Sequence, residues 1–189
     1  MSRSLVLTNS ELIEKSVANN ESELTHTGAL LSLTGNRTGR SPKDRFIVEE
    51  SSTKDKIDWG EVNRPFDANH FDKLWDKVND YLDDRDNYVS NVHVGSNKDH
   101  YIPVEVKSEL AWHSLFSKLI FISPESFNEE NKEVWKIITA ANYVCDPEED
   151  HTNSESCVVI NFLRRKVLIA GMKYAGEMKK SMFAVQNFL

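Results

Sequence analysis

Residues 157–171, CVVINFLRRKVLIAG, decide the fold of this chain. Residues 157–162 and 166–170 are two runs rich in apolar and β-branched side chains, and the polar pair Arg164-Arg165 lies in the short stretch between them. Two such runs joined by a short turn predict a β-hairpin. From Gly176 the apolar residues recur at helical spacing instead, so we expect the hairpin to be followed closely by a helix.

Three further helices are predicted before the hairpin. Thr8 and Glu11 have the spacing of a capping box, which begins a helix that we expect to end near Ala18. Asp67 can cap a second helix, whose buried face is predicted to carry Phe71, Leu74, Trp75, Val78 and Leu82. The third helix, at residues 108–119, and the last helix are expected to present Leu110, Ala111, Leu115 and Leu119, and Met178, Met182, Val185 and Leu189.

Strand patterns lie between these helices. Apolar runs predict strands at residues 29–33, 45–48, 88–94, 102–106 and 134–144, the last of them buried. Interleaved strands and helices indicate the α/β class, with a mixed β-sheet flanked by helices in a single domain over residues 1–189.

The charge of the chain is unevenly distributed. Its 189 residues carry 23 Lys and Arg against 30 Asp and Glu, a formal net charge of −7. Residues 37–45 nevertheless hold four basic side chains and one acidic, and residues 164–180 hold six basic and one acidic. An acidic protein does not bind nucleic acid or an anionic membrane through bulk charge, so we expect neither partner. The basic segments indicate either a local anion site or a solvated surface.

The first basic segment lies in a loop, residues 35–44, between two predicted strands. Gly35 and Gly39 allow backbone N–H groups to converge, and the planar guanidinium of Arg40 can bind both oxygens of a carboxylate. The alternative is a hairpin with exposed charges. The chain contains no Gly-x-x-x-x-Gly-Lys-Ser/Thr string, so a nucleotide-phosphate loop of that type is absent from its sequence.

The second segment connects a predicted strand to a helix at residues 171–181. Ligands often bind where strands feed helices in α/β proteins. Lys179 and Lys180 lie near the positive end of the helix dipole, where cations are disfavoured. Either this exposed face tolerates them, or each lowers the pKa of the other so that one acts as a base or a metal ligand.

Cysteine content and the N-terminus indicate a cytoplasmic protein. Cys145 and Cys157 are too few for a disulfide scaffold and lack zinc-ligand spacing, and Cys157 is expected to be a small core residue. Neither a signal-peptide core nor a membrane-spanning apolar stretch occurs. His113 is interpreted as a structural or surface histidine.

Two strings resemble signatures of a known family. Residues 34–48, TGNRTGRSPKDRFIV, and 174–183, YAGEMKKSMF, are similar to those of ATP-dependent phosphoenolpyruvate carboxykinase, and further similar strings occur in the same order at residues 27–30, 59–63, 111–116 and 154–162. The resemblance covers almost the whole chain but only the N-terminal lobe of the longer family members. It implies a gluconeogenic enzyme that converts oxaloacetate and ATP into phosphoenolpyruvate, ADP and CO2 with Mn²⁺ and Mg²⁺.

The resemblance also implies roles for four residues. Arg40 would bind the substrate carboxylate or the departing CO2, and Tyr174 would border that pocket. Lys180 would contact substrate and ATP phosphate and ligate Mn²⁺ as a neutral amine, and Lys179 would contact phosphate. Two departures from the family pattern are Ala170-Gly171-Met172, where Gly-Gly-Thr is common, and Ser123, where Arg is usual.

The resemblance implies that the rest of such an enzyme, with its phosphate loop and other metal ligands, would lie in a C-terminal lobe beyond Leu189. We therefore expect the chain to be part of a longer protein and to be inactive alone. Two alternatives have no catalytic role: a free-standing anion-binding module, and an interaction domain that binds a partner through Phe183 and Phe188.

Overall fold

The computed structural model describes residues 3–35, 39–97, 99–124 and 133–189, and within them ten strands, four α-helices and one short 3-10 helix. The helices are α1 (Asn9–Ala18), α2 (Ala68–Asp83), α3 (Ala111–Ile120) and α4 (Gly176–Phe188), and the 3-10 helix is Pro42–Asp44. The strands are β1 (Ser4–Leu5), β2 (Ser22–Leu24), β3 (Leu30–Ser32), β4 (Arg45–Val48), β5 (Arg64–Phe66), β6 (Asn87–Val94), β7 (Ile102–Ser108), β8 (Trp135–Ala140), β9 (Cys157–Asn161) and β10 (Lys166–Ala170).

Eight strands form one mixed sheet in the order β1-β6-β7-β8-β10-β9-β4-β5, which confirms the predicted fold class. The predicted hairpin lies at its centre: β9 and β10 are antiparallel, with Val159 opposite Leu168. On its outer sides β10 runs parallel to β8, and β9 runs parallel to β4. All five residues of β9 are buried, since helices cover both faces of the sheet.

The two faces of the sheet have separate cores. On one face α2 buries its five predicted apolar residues against Val159 and Leu168. On the other face, Met178, Met182 and Val185 of α4 pack with the alternate residues of the same strands, such as Val158 and Val167. Alternate side chains of each central strand therefore serve opposite cores.

Local sequence signals begin the helices as predicted. The backbone N–H of Glu11 donates to the Thr8 hydroxyl at 3.3 Å, and the Thr8 N–H donates to the Glu11 carboxylate at 2.7 Å, so the capping box is formed. The Asp67 carboxylate accepts from the N–H groups of Asn69 and His70 at 2.8 and 3.0 Å.

Several predicted boundaries are wrong because long-range pairing overrides local pattern. Ser108 ends β7 and donates its hydroxyl to the carbonyl of Leu110, so α3 begins at residue 111 rather than 108. The strand predicted at residues 134–144 ends at Ala140, and Val144 is 67% exposed. Leu119 and Leu189, predicted on apolar faces, are also exposed.

The predicted strands around the 35–44 loop belong to different sheets. β3 pairs with β2 in a separate two-stranded sheet, whereas β4 joins the main sheet. The loop therefore connects two sheets and does not close a hairpin. Among the described residues, no helix has both the length and the apolar character needed to cross a membrane.

Two leucines test this assignment of the core. Leu82 is fully buried in α2, and Leu119 in α3 is 68% exposed. We expect Leu82→Ala to lower the free energy of unfolding by about 2–5 kcal/mol, because it removes apolar contacts and leaves a cavity. Leu119→Ala, the matched control, should change it by less than about 0.5 kcal/mol. Urea titration followed by circular dichroism measures both, and equal losses would contradict the assigned packing.

Candidate functional site

A cleft of about 360 Å³ opens where β8 and β10 end. The two strands are parallel and pair Ala140 with Ala170, so their carboxyl ends meet at one edge of the sheet. Ligands bind at this edge in many α/β proteins. The cleft is lined by Thr34, Gly35, Ala141, Glu155, Ser156, Gly171, Met172 and Lys173.

Gly171 shapes the floor of the cleft. Its φ is +72°, and a Cβ atom at this position would lie 2.3 Å from the carbonyl oxygen of Glu155. Any larger residue would push the wall of the cleft away. The neighbouring departures from the family pattern point inward, since Ala170 and Met172 are both buried in the core.

Lys173 and Gly35, the first residue of the loop of residues 35–44, both line the cleft. A Cβ atom at Gly35 would lie 3.7 Å from the Cδ atom of Lys173, so the start of this loop lies close to the Lys173 side chain. Asn36, Arg37 and Thr38, which belong to the predicted anion loop, lie outside the described residues.

The rest of the loop is anchored to the start of α4. The backbone N–H of Ser41 donates to the carboxylate of Glu177 at 3.1 Å. Asp44, which is 3% exposed, accepts a hydrogen bond from the Ser154 hydroxyl at 2.8 Å and another from the Ser41 hydroxyl. These bonds link Ser41 and Asp44 to α4 and to the segment that precedes β9.

Charges of both signs meet at this anchor. Glu177 is 2% exposed and lies in the first turn of α4, where the helix dipole favours a carboxylate. Burial lowers the pKa of Arg45, the charge of Arg40 lowers it further, and the charge of Glu177 raises it. The charges of Arg40 and Glu177 therefore both act on Arg45, and the Arg40 side chain itself is exposed.

Tyr174 and the two lysines of α4 lie around the same helix start. The half-buried Tyr174 ring occupies space that a side chain at Gly176 would need, because a Cβ atom there would lie 2.6 Å from the ring. Lys179 and Lys180 are both exposed, but their surroundings differ. Lys180 Nζ lies 5.5 Å from the centre of the Phe183 ring, and Lys179 borders a separate groove beside Ile120.

The structure thus brings together only some of the predicted features. Arg40, Tyr174 and the lysines surround the start of α4, but none of these four residues lines the cleft itself. Sequence reasoning missed Glu155 and Lys173, which do line it. Lys173 could have been predicted from the sequence as the first basic residue after β10. Glu155 reaches the cleft only through the tertiary fold.

Of the two interpretations of His113, a structural or a surface histidine, the structural one is confirmed. His113 is 1% exposed, and its Nε2 lies 2.9 Å from the carbonyl oxygen of Lys173. That oxygen can only accept, so Nε2 carries the proton, and Nδ1 accepts from the Thr139 hydroxyl at 3.1 Å. Burial lowers the pKa of His113 to about 4. A neutral imidazole therefore joins α3, β8 and the segment that leads to Tyr174.

The described residues do not form a metal site on their own. They contain no group of three or more His, Cys, Asp and Glu side chains placed to hold a metal ion. A metal ion bound beside Lys180 would need most of its ligands from elsewhere.

Comparison with known proteins identifies similar chains. A family model described as phosphoenolpyruvate carboxykinase matches residues 4–189. The chain is 49% identical over 181 residues to the phosphoenolpyruvate carboxykinase (ATP) of Geobacillus kaustophilus, covering 95% of this chain and 34% of that relative. It is 48% identical over 186 residues to the protein of the same name from Staphylococcus aureus, covering 97% and 35%. The chain spans about a third of the length of these curated relatives.

The buried neutral His113 predicts a specific pH dependence of stability. Its pKa is about 4 when folded and 6.5 in the unfolded reference, so between these values the unfolded chain binds more protons. Stability should therefore fall as the pH drops from 6.5 to 4, by up to about 3 kcal/mol from this residue. We expect His113→Gln, which keeps a hydrogen-bond donor but does not titrate, to have a flatter profile in urea titrations over this range. Parallel profiles for the two proteins would contradict the buried neutral state.

Proposed function

Because this chain belongs to the ATP-dependent phosphoenolpyruvate carboxykinase family, we propose that it is the N-terminal, substrate-binding lobe of such an enzyme. The whole protein would convert oxaloacetate and ATP into phosphoenolpyruvate, ADP and CO2, as a cytoplasmic step of gluconeogenesis. The main support is the 3.1 Å hydrogen bond between Ser41 and Glu177, which holds the Arg40 loop against the Tyr174–Lys180 segment beside the cleft.

Lys173, which lines the cleft, and Arg40, which lies outside its lining, suit a dicarboxylate substrate. In the proposed reaction the C–C bond to one carboxylate breaks, CO2 leaves, and the electron pair remains as an enolate. The enolate oxygen then attacks the γ-phosphorus of ATP and ADP departs. Arg40 would bind a carboxylate through both oxygens, and the Tyr174 hydroxyl and ring edge would border the departing CO2.

Lys179 and Lys180 would act on the phosphate side. Both side chains are exposed on α4 and can reach an anion that lies outside the sheet. Cations placed where negative charge develops stabilise the transition state. Within the enzyme Lys180 would also be one Mn²⁺ ligand, and Mg²⁺ would accompany ATP. Since the described residues do not form a metal site, no step is assigned to either ion.

A free-standing anion-binding module is the second candidate. One observation favours it: described residues of this chain form the cleft, whereas they do not form a metal site. The coding sequence after Leu189 separates the candidates. A reading frame that continues into Gly-x-x-x-x-Gly-Lys-Thr supports the enzyme, and a stop codon supports the module.

The interaction-domain alternative has less support. Phe188 stacks on Phe162 within the chain, with ring centres 4.0 Å apart, so it is engaged in intramolecular packing. Phe183 remains 57% exposed and is the better anchor for a partner.

The 189-residue chain alone should be catalytically inactive, because no phosphate loop for ATP occurs in its sequence. Incubation with oxaloacetate, ATP, Mg²⁺ and Mn²⁺ should yield no phosphoenolpyruvate in a coupled assay. A full-length relative assayed in parallel is the positive control. ATP-dependent product formation by the chain would refute this prediction.

In the full-length protein, Arg40→Ala and Lys180→Ala should each lower kcat by roughly 10²-fold or more, because each removes a charge aimed at the reacting groups. Arg3→Ala and Lys73→Ala change exposed residues of the same types away from the cleft and should leave turnover unchanged. Steady-state assays with varied oxaloacetate measure the effect. Wild-type kinetics in both site variants would remove the site assignment.

A further inference from the structure

We propose that Cys145 and Cys157 form a covalent modification site, at which a peroxide oxidises the two thiols to an intramolecular disulfide beside the cleft. This inference goes beyond the proposed function and does not depend on catalysis. The two residues are the only cysteines of the chain.

The two thiols lie next to each other in the fold. The Sγ atoms lie 3.8 Å apart, and both thiols are free. The backbone N–H of Cys145 donates to the carbonyl of Glu155 at 3.0 Å, so the two backbone stretches already lie side by side. Formation of the bond requires the Sγ atoms to approach from 3.8 Å to about 2.05 Å.

The surroundings of the pair favour one product. Cys145 is 1% exposed and Cys157 is fully buried, and the described residues place no His, Asp or Glu where they could join the two thiols in a metal site. A bulky or charged adduct would not fit among the core residues that pack here, such as Val159 and Leu168. A disulfide adds no atoms and is the modification that this space accommodates.

The reaction is balanced with hydrogen peroxide as the oxidant. One thiolate attacks the peroxide, the O–O bond breaks, and a sulfenic acid forms with release of hydroxide, which takes up the proton of the thiol to give water. The neighbouring thiol then attacks the sulfenic sulfur and a second water leaves. The two thiols lose two electrons in total, and the peroxide gains them.

The rate of oxidation should be controlled by ionisation of the thiols and by local opening of the buried site. The hydrogen bond with Cys145 and burial both raise the pKa of Cys157, so thiolate is scarce at neutral pH. The first step should therefore be slow and should accelerate as pH rises. The second step is intramolecular between atoms in contact, so sulfenic acid should not accumulate.

The disulfide would restrict the movement of one wall of the cleft. It closes the loop of residues 145–157, which contains Glu155 and Ser156, both lining residues of the cleft. The carbonyl of Glu155 also packs directly against Gly171. A crosslink across this loop restricts the opening of the wall and lowers the entropy of the unfolded chain.

The test is oxidation of the folded chain with hydrogen peroxide, followed by denaturation and alkylation with iodoacetamide. Intact mass spectrometry should find two alkylated thiols before oxidation and none after it, and peptide mapping should find Cys145 linked to Cys157. The melting temperature should rise by roughly 5 °C and return on treatment with dithiothreitol. Hydrogen exchange of residues 146–156 should become slower in the oxidised form.

Cys145→Ala and Cys157→Ala are matched controls, since each leaves one thiol that cannot form the internal bond. Neither should gain stability on oxidation. If these variants fail to fold, comparison of oxidised and reduced wild-type protein still decides the question. Two alkylatable thiols after prolonged oxidation, sulfinic acid as the main product, or disulfide-linked dimers would each overturn the proposal.

Discussion

The absence of a side chain at Gly171 is the constraint on which the cleft depends. The carbonyl oxygen of Glu155 lies 2.3 Å from the point that a Cβ atom would occupy, and the φ of +72° is one that L-residues rarely adopt. The two residues that follow this turn, Met172 and Lys173, both line the cleft, and Met172 is also buried in the core. Tyr174 and α4 follow this turn directly along the chain.

Buried polar groups then hold the turn and its neighbours in place. His113 bonds the carbonyl of Lys173, Glu177 accepts the N–H of Ser41, and Asp44 accepts the hydroxyl of Ser154. A buried polar group is costly unless it is paired, so each of these contacts favours a single arrangement of its segments. The region around the cleft is therefore positioned by hydrogen bonds, whereas the two sheet cores are held by apolar packing.

Local sequence patterns predicted much of the fold. Two apolar runs around Arg164-Arg165 gave a correct hairpin, and the caps at Thr8 and Asp67 were correct because capping depends on residues within one turn. The errors have a common origin. Leu119 and Val144 are apolar and extend the local helix and strand patterns. In the structure, β8 ends before Val144, and Leu119 lies in α3 with its side chain exposed, since neither packs into a core.

The sequence by itself determined the helices, the central strands and the family, since these depend on residues close together along the chain and on the strings around Arg40 and Tyr174. Tertiary structure alone decided that Ser41 meets Glu177, 136 positions away, and that His113 meets Lys173, 60 positions away. It also brought Cys145 against Cys157. Such contacts depend on the order of strands in the sheet. Local periodicity does not carry that information, because the strand order is set only when helices bury both faces of the sheet.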